Sequence, residues 1–440
     1  MKKLLLIEPA GKIQRRISGI HYLEKISNRD YFRKQSLALG VLAGLTPPEW
    51  EIDILQEPAD TIDFNVRAEL VGITAVTHNV KRGYEIAAEF RKRGVLVIMG
   101  GIHPTVLYNE ALQHCDSVCI GEAEPVWKEV ISDASTGRLK KIYKSESLFD
   151  LEGYVLPRRD LMRKPRSSVF NPGVFIEASR GCPYNCDFCS VSIMHGRKIR
   201  YRPINNLIRD MEQAGSSKFF FVDNNIVANP QRAKTLFRAL IPLKIKWMGQ
   251  ATISIAKDPE LLRLAVESGC RGLLIGIESV MEEGLSNYSK NPGSFQELER
   301  ALKTLKDHGI GVHAHMVFGN DFETPATMSE SLKRLLALDA VSASIGIMIP
   351  YPGTEIALKL ENEKRILTKD WNYYDIHGLV FQPANFTCQE FLMEVEELRR
   401  RYFSASAILS RTLKYRDLEV LGFNIAMKAH NKVHYHLSVG

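Results

Sequence analysis

The sequence predicts an α/β protein made of two parallel-sheet units followed by a mainly helical extension, and three observations predict it. Short apolar runs alternate with helical patterns over residues 1–145. Six further strand-and-helix units follow over 172–365, and from 366 the pattern gives way to charge-rich helical sequence. Alternation of this kind is what a parallel sheet with crossover helices requires. Between the units, residues 146–171 lose periodicity at Pro157-Arg158-Arg159-Asp160 and Pro165 and read as a connector. A chain of 440 residues is also too long for one hydrophobic core.

In the first unit the runs are 3–7, 37–45, 52–55, 70–73, 84–93, 95–99 and 117–120. They fit a doubly wound, Rossmann-like sheet, which places a ligand at the C-terminal ends of its strands. Those ends carry Thr74-Ala75-Val76-Thr77, Gly100-Gly101-Ile102-His103-Pro104-Thr105 and Gly121-Glu122-Ala123-Glu124. Paired glycines let backbone approach a bulky ligand, and threonine hydroxyls offer hydrogen bonds. A Gly-Gly turn equally serves a tight strand-to-helix connection. His103 reads as a turn histidine that bonds backbone or a ligand amide, or equally as a purely structural residue, and Cys119, in an apolar run, as a buried and inert thiol.

In the second unit, strands are expected at 174–178, 219–222, 246–251, 272–277, 311–318 and 344–349, with helices at 204–213, 233–240, 259–266 and 295–307. Six units rather than eight make an incomplete (β/α)6 barrel, again with its site at the strand C-termini. Just after its first strand stands Arg180-Gly181-Cys182-Pro183-Tyr184-Asn185-Cys186-Asp187-Phe188-Cys189. Thiolates are the usual ligands of iron–sulfur clusters, and three local ligands for a four-iron cluster leave one iron open. Zinc is the rival, but structural zinc takes four protein ligands, commonly as two Cys-x2-Cys-like pairs, and no second pair follows. Three unrelated buried cysteines fit poorly with a polar loop of glycine and proline. His313 and His315 share one face of a strand, where they line a chamber or form a metal-binding pair.

The net charge of +7 raises the question of nucleic acid, but the basic clusters are short, Arg91-Lys92-Arg93, 197–202 and Arg399-Arg400-Arg401, and read as solvated faces. Seven cysteines are too few for a disulfide framework, and a thiolate-held cluster needs a reducing compartment, so a cytoplasmic location is expected. The apolar start 4–7 is cut short by Glu8-Pro9, which suits a buried strand rather than a signal peptide. No run approaches the roughly 20 apolar residues of a membrane span, so a lipid-like substrate would be met from solution or from a membrane surface.

The cysteine spacing, with Phe188 ahead of the last cysteine, resembles the signature of the radical S-adenosylmethionine (SAM) superfamily. That resemblance implies a [4Fe–4S] cluster on Cys182, Cys186 and Cys189, with SAM on the open iron and a 5′-deoxyadenosyl radical as the reactive species. It also implies SAM-facing roles for Tyr184, Phe188, Asp223, Asn224, Asn225, Gln250, Glu278, Ser279, Gly319 and Pro352, which lie in the loop and at the strand ends. Asp223-Asn224-Asn225 stands where many relatives have Asp-Asp-Asn, so the second carboxylate of that pattern is missing here. A carboxylate such as Glu278 suits ribose because it accepts from both hydroxyls.

Residues 1–145 resemble the cobalamin-binding domain that precedes many radical SAM cores, which implies cobalamin at Thr74, Thr77, Gly100, Gly101, His103, Pro104, Gly121, Glu122 and Glu124. The Asp-x-His-x-x-Gly frame that supplies a cobalt-ligating histidine elsewhere is missing from the domain, so His103 is not expected to ligate cobalt. The leading expectation is a cobalamin-dependent radical SAM enzyme that methylates an unactivated carbon of a small-molecule or lipid-like substrate. An electron donor such as flavodoxin or ferredoxin would reduce the cluster. Non-methylating radical chemistry is the alternative. A non-catalytic iron–sulfur or cobalamin-binding protein is a rival of another class, and an electron carrier would ordinarily saturate its irons with four protein ligands.

Overall fold

The structure is a computed structural model that describes residues 2–11, 35–163, 173–287, 293–415 and 418–433. The end of the expected connector, with Pro165, and residues 434–440 lie outside the described residues.

The first sheet is built from β1 (Lys2–Glu8), β2 (Trp50–Gln56), β3 (Leu70–Thr74), β4 (Leu96–Gly100), β5 (Ser117–Ile120) and β6 (Ile142–Lys144), in the spatial order β2-β1-β3-β4-β5-β6. All its pairings are parallel. Both faces of its inner strands are apolar because helices cover both: Leu5 and Ile7 enter one core cluster, Leu4 and Leu6 another. Strand order reverses at β1 and β3, and the crevice at their C-terminal ends is where such a sheet takes a ligand. The β6 strand was not foreseen. It is three residues long and its outer side chains are exposed, so it carries little apolar signal.

The second sheet contains β7 (Val174–Ile176), β10 (Lys218–Phe221), β11 (Lys246–Ala251), β12 (Cys270–Glu278), β13 (Gly311–Phe318) and β14 (Ser342–Ile347), while β8 (Ser179–Arg180) and β9 (Arg200–Tyr201) form a separate short antiparallel pair. The order β7-β10-β11-β12-β13-β14 follows the sequence and every pairing is parallel, as an open six-stranded barrel requires. Ile176, Phe219, Phe221, Trp247, Leu273, Ile275, Val312, Ala314 and Met316 point outward into one core beneath the helices. The crossover helices start with side-chain caps where the sequence provides them: Asn229, Asp258, Ser294 and Thr324 each accept from a first-turn amide.

The extension first returns to the other unit. Trp371, Tyr374 and Val380 join the core of the first sheet, and Trp371 donates to Glu110 at 2.9 Å. Helices Cys388–Tyr402, Ala405–Tyr415 and Leu418–Val433 then follow. On the barrel side, Arg399 donates to the Ile345 carbonyl at 2.7 and 2.9 Å and Asn424 to that of Val341. Among the described residues no helix is long and apolar enough to cross a membrane.

Candidate active site

The three cysteines of the barrel loop lie between β8 and β9, whose pairing of Arg180 with Arg200 closes the loop at its base. Gly181 makes the exit from β8 at φ 94°, where a Cβ would strike the Lys198 carbonyl. Inside the loop the Cys182 amide donates to Gly196 and the Cys189 amide to Cys186. All three thiols are half-buried and unoxidised. The remaining thiols of the two sheets are sealed in: burial pushes Cys115 up to about 11, Cys119 up to about 12 and Cys270 higher still. Cys388, on the C-terminal extension, is also half-buried but stands alone, so among the described residues the loop cysteines are the group that combines access with the softness iron–sulfur chemistry needs. Among the described residues, no three His, Cys, Asp or Glu side chains converge as the ligands of one metal ion would. Thiolates on separate corners of a cluster need not converge on a point, so the donor set fits the cluster.

The other SAM-facing candidates surround this loop at the C-terminal ends of the barrel strands. Phe188 is half-buried against the barrel core and Tyr184 is half-buried beside it. The helix Glu355–Asn362 points its N-terminus at the loop, with Ile356 donating to the Asp187 carbonyl at 3.1 Å and Glu355 accepting from Asn185 at 3.1 Å. Pro352 lies in the turn before it. Asn225 is buried, and its Oδ1 accepts from the amides of Val227 and Thr252. Those two donors fix the orientation of the amide, which leaves Nδ2 buried without a partner. An orphaned donor at a strand end suits a carboxylate or hydroxyl of SAM. Asn224 and Gln250 are half-buried nearby, and the Gln250 carbonyl receives the Ile226 amide.

Glu278 ends β12 buried, at φ 64°, where the β12–β13 register slips. A non-glycine residue in that conformation stores about 1–3 kcal/mol of strain, and such strain gathers at functional sites.

Three candidates face their own chain. Asp223, 1 % exposed, accepts from the Ala178 amide at 3.0 Å and the Ser179 hydroxyl at 2.5 Å, so it anchors the strand that leads into the cysteine loop. Burial pushes its carboxyl up to about 7, against the pull of those two bonds. Ser279 accepts from the Met281 amide and so starts the next helix. Gly319, at φ 117°, donates its amide to Glu323 at 2.6 Å. Glu323 was not foreseen; it is a buried carboxyl at a strand end, raised to about 7 by desolvation.

On the first sheet, Thr74, Gly100 and Gly121 form a half-exposed rim. No atom lies within 4 Å of where a Cβ on Gly121 would stand, which leaves room above the sheet for a broad ligand. Gly101 is demanded by its own fold instead: at φ 97° a Cβ would lie 2.5 Å from the Ala75 carbonyl. Thr77 and Pro104 are buried. At the reversal of strand order, Asn79 ties β1 to β3 by accepting from the Val76 amide and donating to the Pro9 carbonyl. Asn79 was not foreseen, because an asparagine beyond the end of an apolar run carries no periodic signal.

On the first sheet, His103, only 1 % exposed, approaches Glu110 at 3.4 Å and packs edge-on to Trp371, which fits the structural reading of this histidine, while its Nδ1 is buried without a partner. One expectation for the sheet changes. Glu122 and Glu124 turn toward the barrel. Glu122 takes both terminal nitrogens of Arg200, at 2.7 and 2.8 Å, and meets His195 at 3.1 Å; Glu124 pairs with Arg180 at 2.6 Å. Burial alone would raise the Glu122 carboxyl, but bonds from His195 and Arg200 and the charge of Arg180 hold it far below the carboxylate range.

The strand ends of the two sheets face each other. Thr105 of the first reaches the Met194 sulfur of the cysteine loop at 3.8 Å. Gly353 of the barrel lies where a Cβ would meet Val106 at 2.9 Å and Ile193 at 3.2 Å.

Comparison with known proteins agrees with this arrangement. The sequence model of the radical SAM superfamily matches residues 176–335, and that of the B12 binding domain matches residues 40–131. The bacteriochlorophyllide d C-12(1)-methyltransferase of Chlorobaculum tepidum is 29% identical over 85% of this chain and 84% of its own. The C-8(2)-methyltransferase of the same organism is 29% identical over 90% of this chain and 91% of its own. Among solved structures, the cobalamin-dependent SAM radical enzyme OxsB superposes with a TM-score of 0.68 over 99% of this chain and 72% of that one, at 14% identity. The radical SAM methyltransferase TsrM from Kitasatospora setae, with tryptophan and a SAM analogue bound, gives 0.66 over 90% of this chain and 89% of that one, at 18% identity. With its thiol loop at the mouth of a six-stranded barrel and a doubly wound sheet facing it, the chain belongs to the radical SAM superfamily and is a radical SAM enzyme with a B12-binding domain.

Proposed function

We propose that the chain methylates an unactivated alkyl carbon of a large, mainly apolar ring compound of the tetrapyrrole class. The observation that carries this reading is the apposition of the two sets of strand ends, which puts the thiol loop and the rim of the first sheet on either side of one space. In that space SAM on the cluster would supply the radical and cobalamin the methyl group. The chain's own residues orient the substrate and exclude water.

Side chains on the inner face of the barrel support the substrate class. Phe175, Phe220, Met248 and Leu274 alternate with the core-facing residues, and Phe175 and Phe220 lie 5.4 Å apart. Beside Leu274 on the next strand, His313 meets the Ser344 hydroxyl at 2.8 Å and lies 5.1 Å from the ring of His315. Burial holds His313 well below the usual imidazole value, so it is neutral. The chamber thus offers an apolar surface to a flat ring and a neutral polar edge to its carbonyl or carboxyl substituents. The methyltransferases of Chlorobaculum tepidum, whose names give bacteriochlorophyllide d, support the same class. A flavodoxin or ferredoxin is proposed as the electron donor, and a reducing cytoplasm as the setting.

Anaerobic purification tests the reading through iron, sulfide and cobalamin content. Turnover with SAM, a reductant and a bacteriochlorophyllide should give product heavier by one methyl group together with 5′-deoxyadenosine. SAM cleavage without a methylated product from any tetrapyrrole tried would overturn the substrate class.

A further inference from the structure

Glu122 follows Gly121 at the end of β5, on the sheet read as holding cobalamin, yet its carboxylate serves the cysteine loop. Oε2 accepts from Arg200 at 2.7 Å and from the Phe149 amide at 2.8 Å. Oε1 accepts from Arg200 at 2.8 Å, meets His195 Nδ1 at 3.1 Å and lies 3.4 Å from Arg180. Arg180 and Arg200 are register partners in β8 and β9, the strands that open and close the stretch holding Cys182, Cys186 and Cys189. His195 lies within that stretch. One carboxylate from the neighbouring sheet therefore grips the entry, the exit and the interior of the loop. Glu124 and Glu177 hold Arg180 from its other sides, at 2.6 and 3.0 Å.

Elsewhere the loop is held by the helix Glu355–Asn362, which meets it at Asp187 and Asn185, and by Phe188 against the barrel core, while its own elements are slight. Its strands are two residues long, and none of the residues of its helix, Val191–His195, is fully buried. A segment with few buried apolar contacts opens easily unless polar contacts hold it. Buried ion pairs do this stiffly, because withdrawing one partner strands the others without compensation. Here Glu122 is 6 % exposed and Arg180 7 % exposed.

We propose that Glu122 is a positioning residue, which sets the iron–sulfur loop against the B12-binding sheet so that SAM cleavage depends on a carboxylate of the neighbouring unit. The proposal rests on the reading of that loop as the cluster holder. It assigns Glu122 and Glu124 a task other than contact with cobalamin.

The test uses the full chain with SAM alone as the probe. Wild type, Glu122→Gln and Glu89→Gln are reconstituted anaerobically, reduced, and followed by 5′-deoxyadenosine release and by the electron paramagnetic resonance of the reduced cluster with and without SAM. Glu89 is a control in the same unit, paired with Lys92 and Arg93 one turn away. We expect Glu122→Gln to keep its iron, to lose about 10²-fold in SAM cleavage, as displacement of a reacting pair by about 1 Å can cause, and to show an altered SAM-bound cluster spectrum. Glu122→Asp should recover part of both, while Glu89→Gln stays near wild type. A Glu122→Gln enzyme with wild-type cleavage and spectrum would overturn the inference, as would an equal loss in Glu89→Gln. A wild type that holds no iron and cleaves no SAM would instead overturn the reading of the loop itself.

Discussion

Glu278 and Asp223 are both buried carboxyls at barrel strand ends, but the structure assigns them opposite work. Glu278 sits in a strained conformation at a register slip, while Asp223 is engaged by Ala178 and Ser179. Glu278→Ala should weaken SAM binding by roughly 10–100-fold, the worth of hydrogen bonds to a charged acceptor, with iron content unchanged; equilibrium dialysis with SAM checks it. Normal SAM affinity with failed turnover would move Glu278 to the substrate side. Asp223 makes a prediction about pH. Its folded value, about 7, lies above the ordinary 3.8, so the fold favours the protonated form. Its contribution is present below about pH 4 and is lost as pH rises through about 7, at a cost of up to a few kcal/mol. The stability difference between wild type and Asp223→Asn, followed by thermal melts, should therefore shift in favour of the variant over that window. Triple replacement of Cys182, Cys186 and Cys189 by alanine should abolish iron retention and SAM cleavage together; retained iron would remove the loop from the site.

Among the elements, the turn after β4 shows a local signal with two readings that only the tertiary structure separates. Gly100-Gly101 was taken from sequence as an approach point for a bulky ligand, or equally as a tight turn. The structure shows that Gly101 is needed because the turn passes against Ala75. Gly101→Ala should cost about 1–3 kcal/mol, seen as a lowered urea midpoint with the m-value unchanged. Of the barrel strands, Lys246–Ala251 and Gly311–Phe318 were legible residue for residue, whereas Cys270–Glu278 is longer than expected and Ser342–Ile347 starts two residues earlier, because buried positions mark a strand's middle better than its ends. Strand β6 and the two-residue strands β8 and β9 were not legible, since they bury too little to leave a pattern.

At the scale of the whole molecule, the two units meet through their functional ends and are fastened by the segment around Trp371. His103 lies in that fastening and not at the open rim. Cobalamin bound to the chain in its cob(II) form should accordingly show no nitrogen splitting that depends on His103, and His103→Gln should leave that spectrum unchanged. A splitting that disappears in the variant would place the histidine on cobalt.

The sequence alone determined the α/β class, the two units, the thiol loop and the chemistry those thiols serve. These depend on period, spacing and side-chain type, which are local properties of the chain. Tertiary structure decided which polar side chains remain available to cofactors. Asp223, Ser279, His103, Glu122 and Glu124 all stand at strand ends in the sequence, yet each meets a partner 2 to 78 residues away, and those contacts decide which way the side chain turns. A carboxylate at a strand end reads the same whether it faces a ligand or an arginine from another unit. Only the packing of the two sheets supplies the arginine.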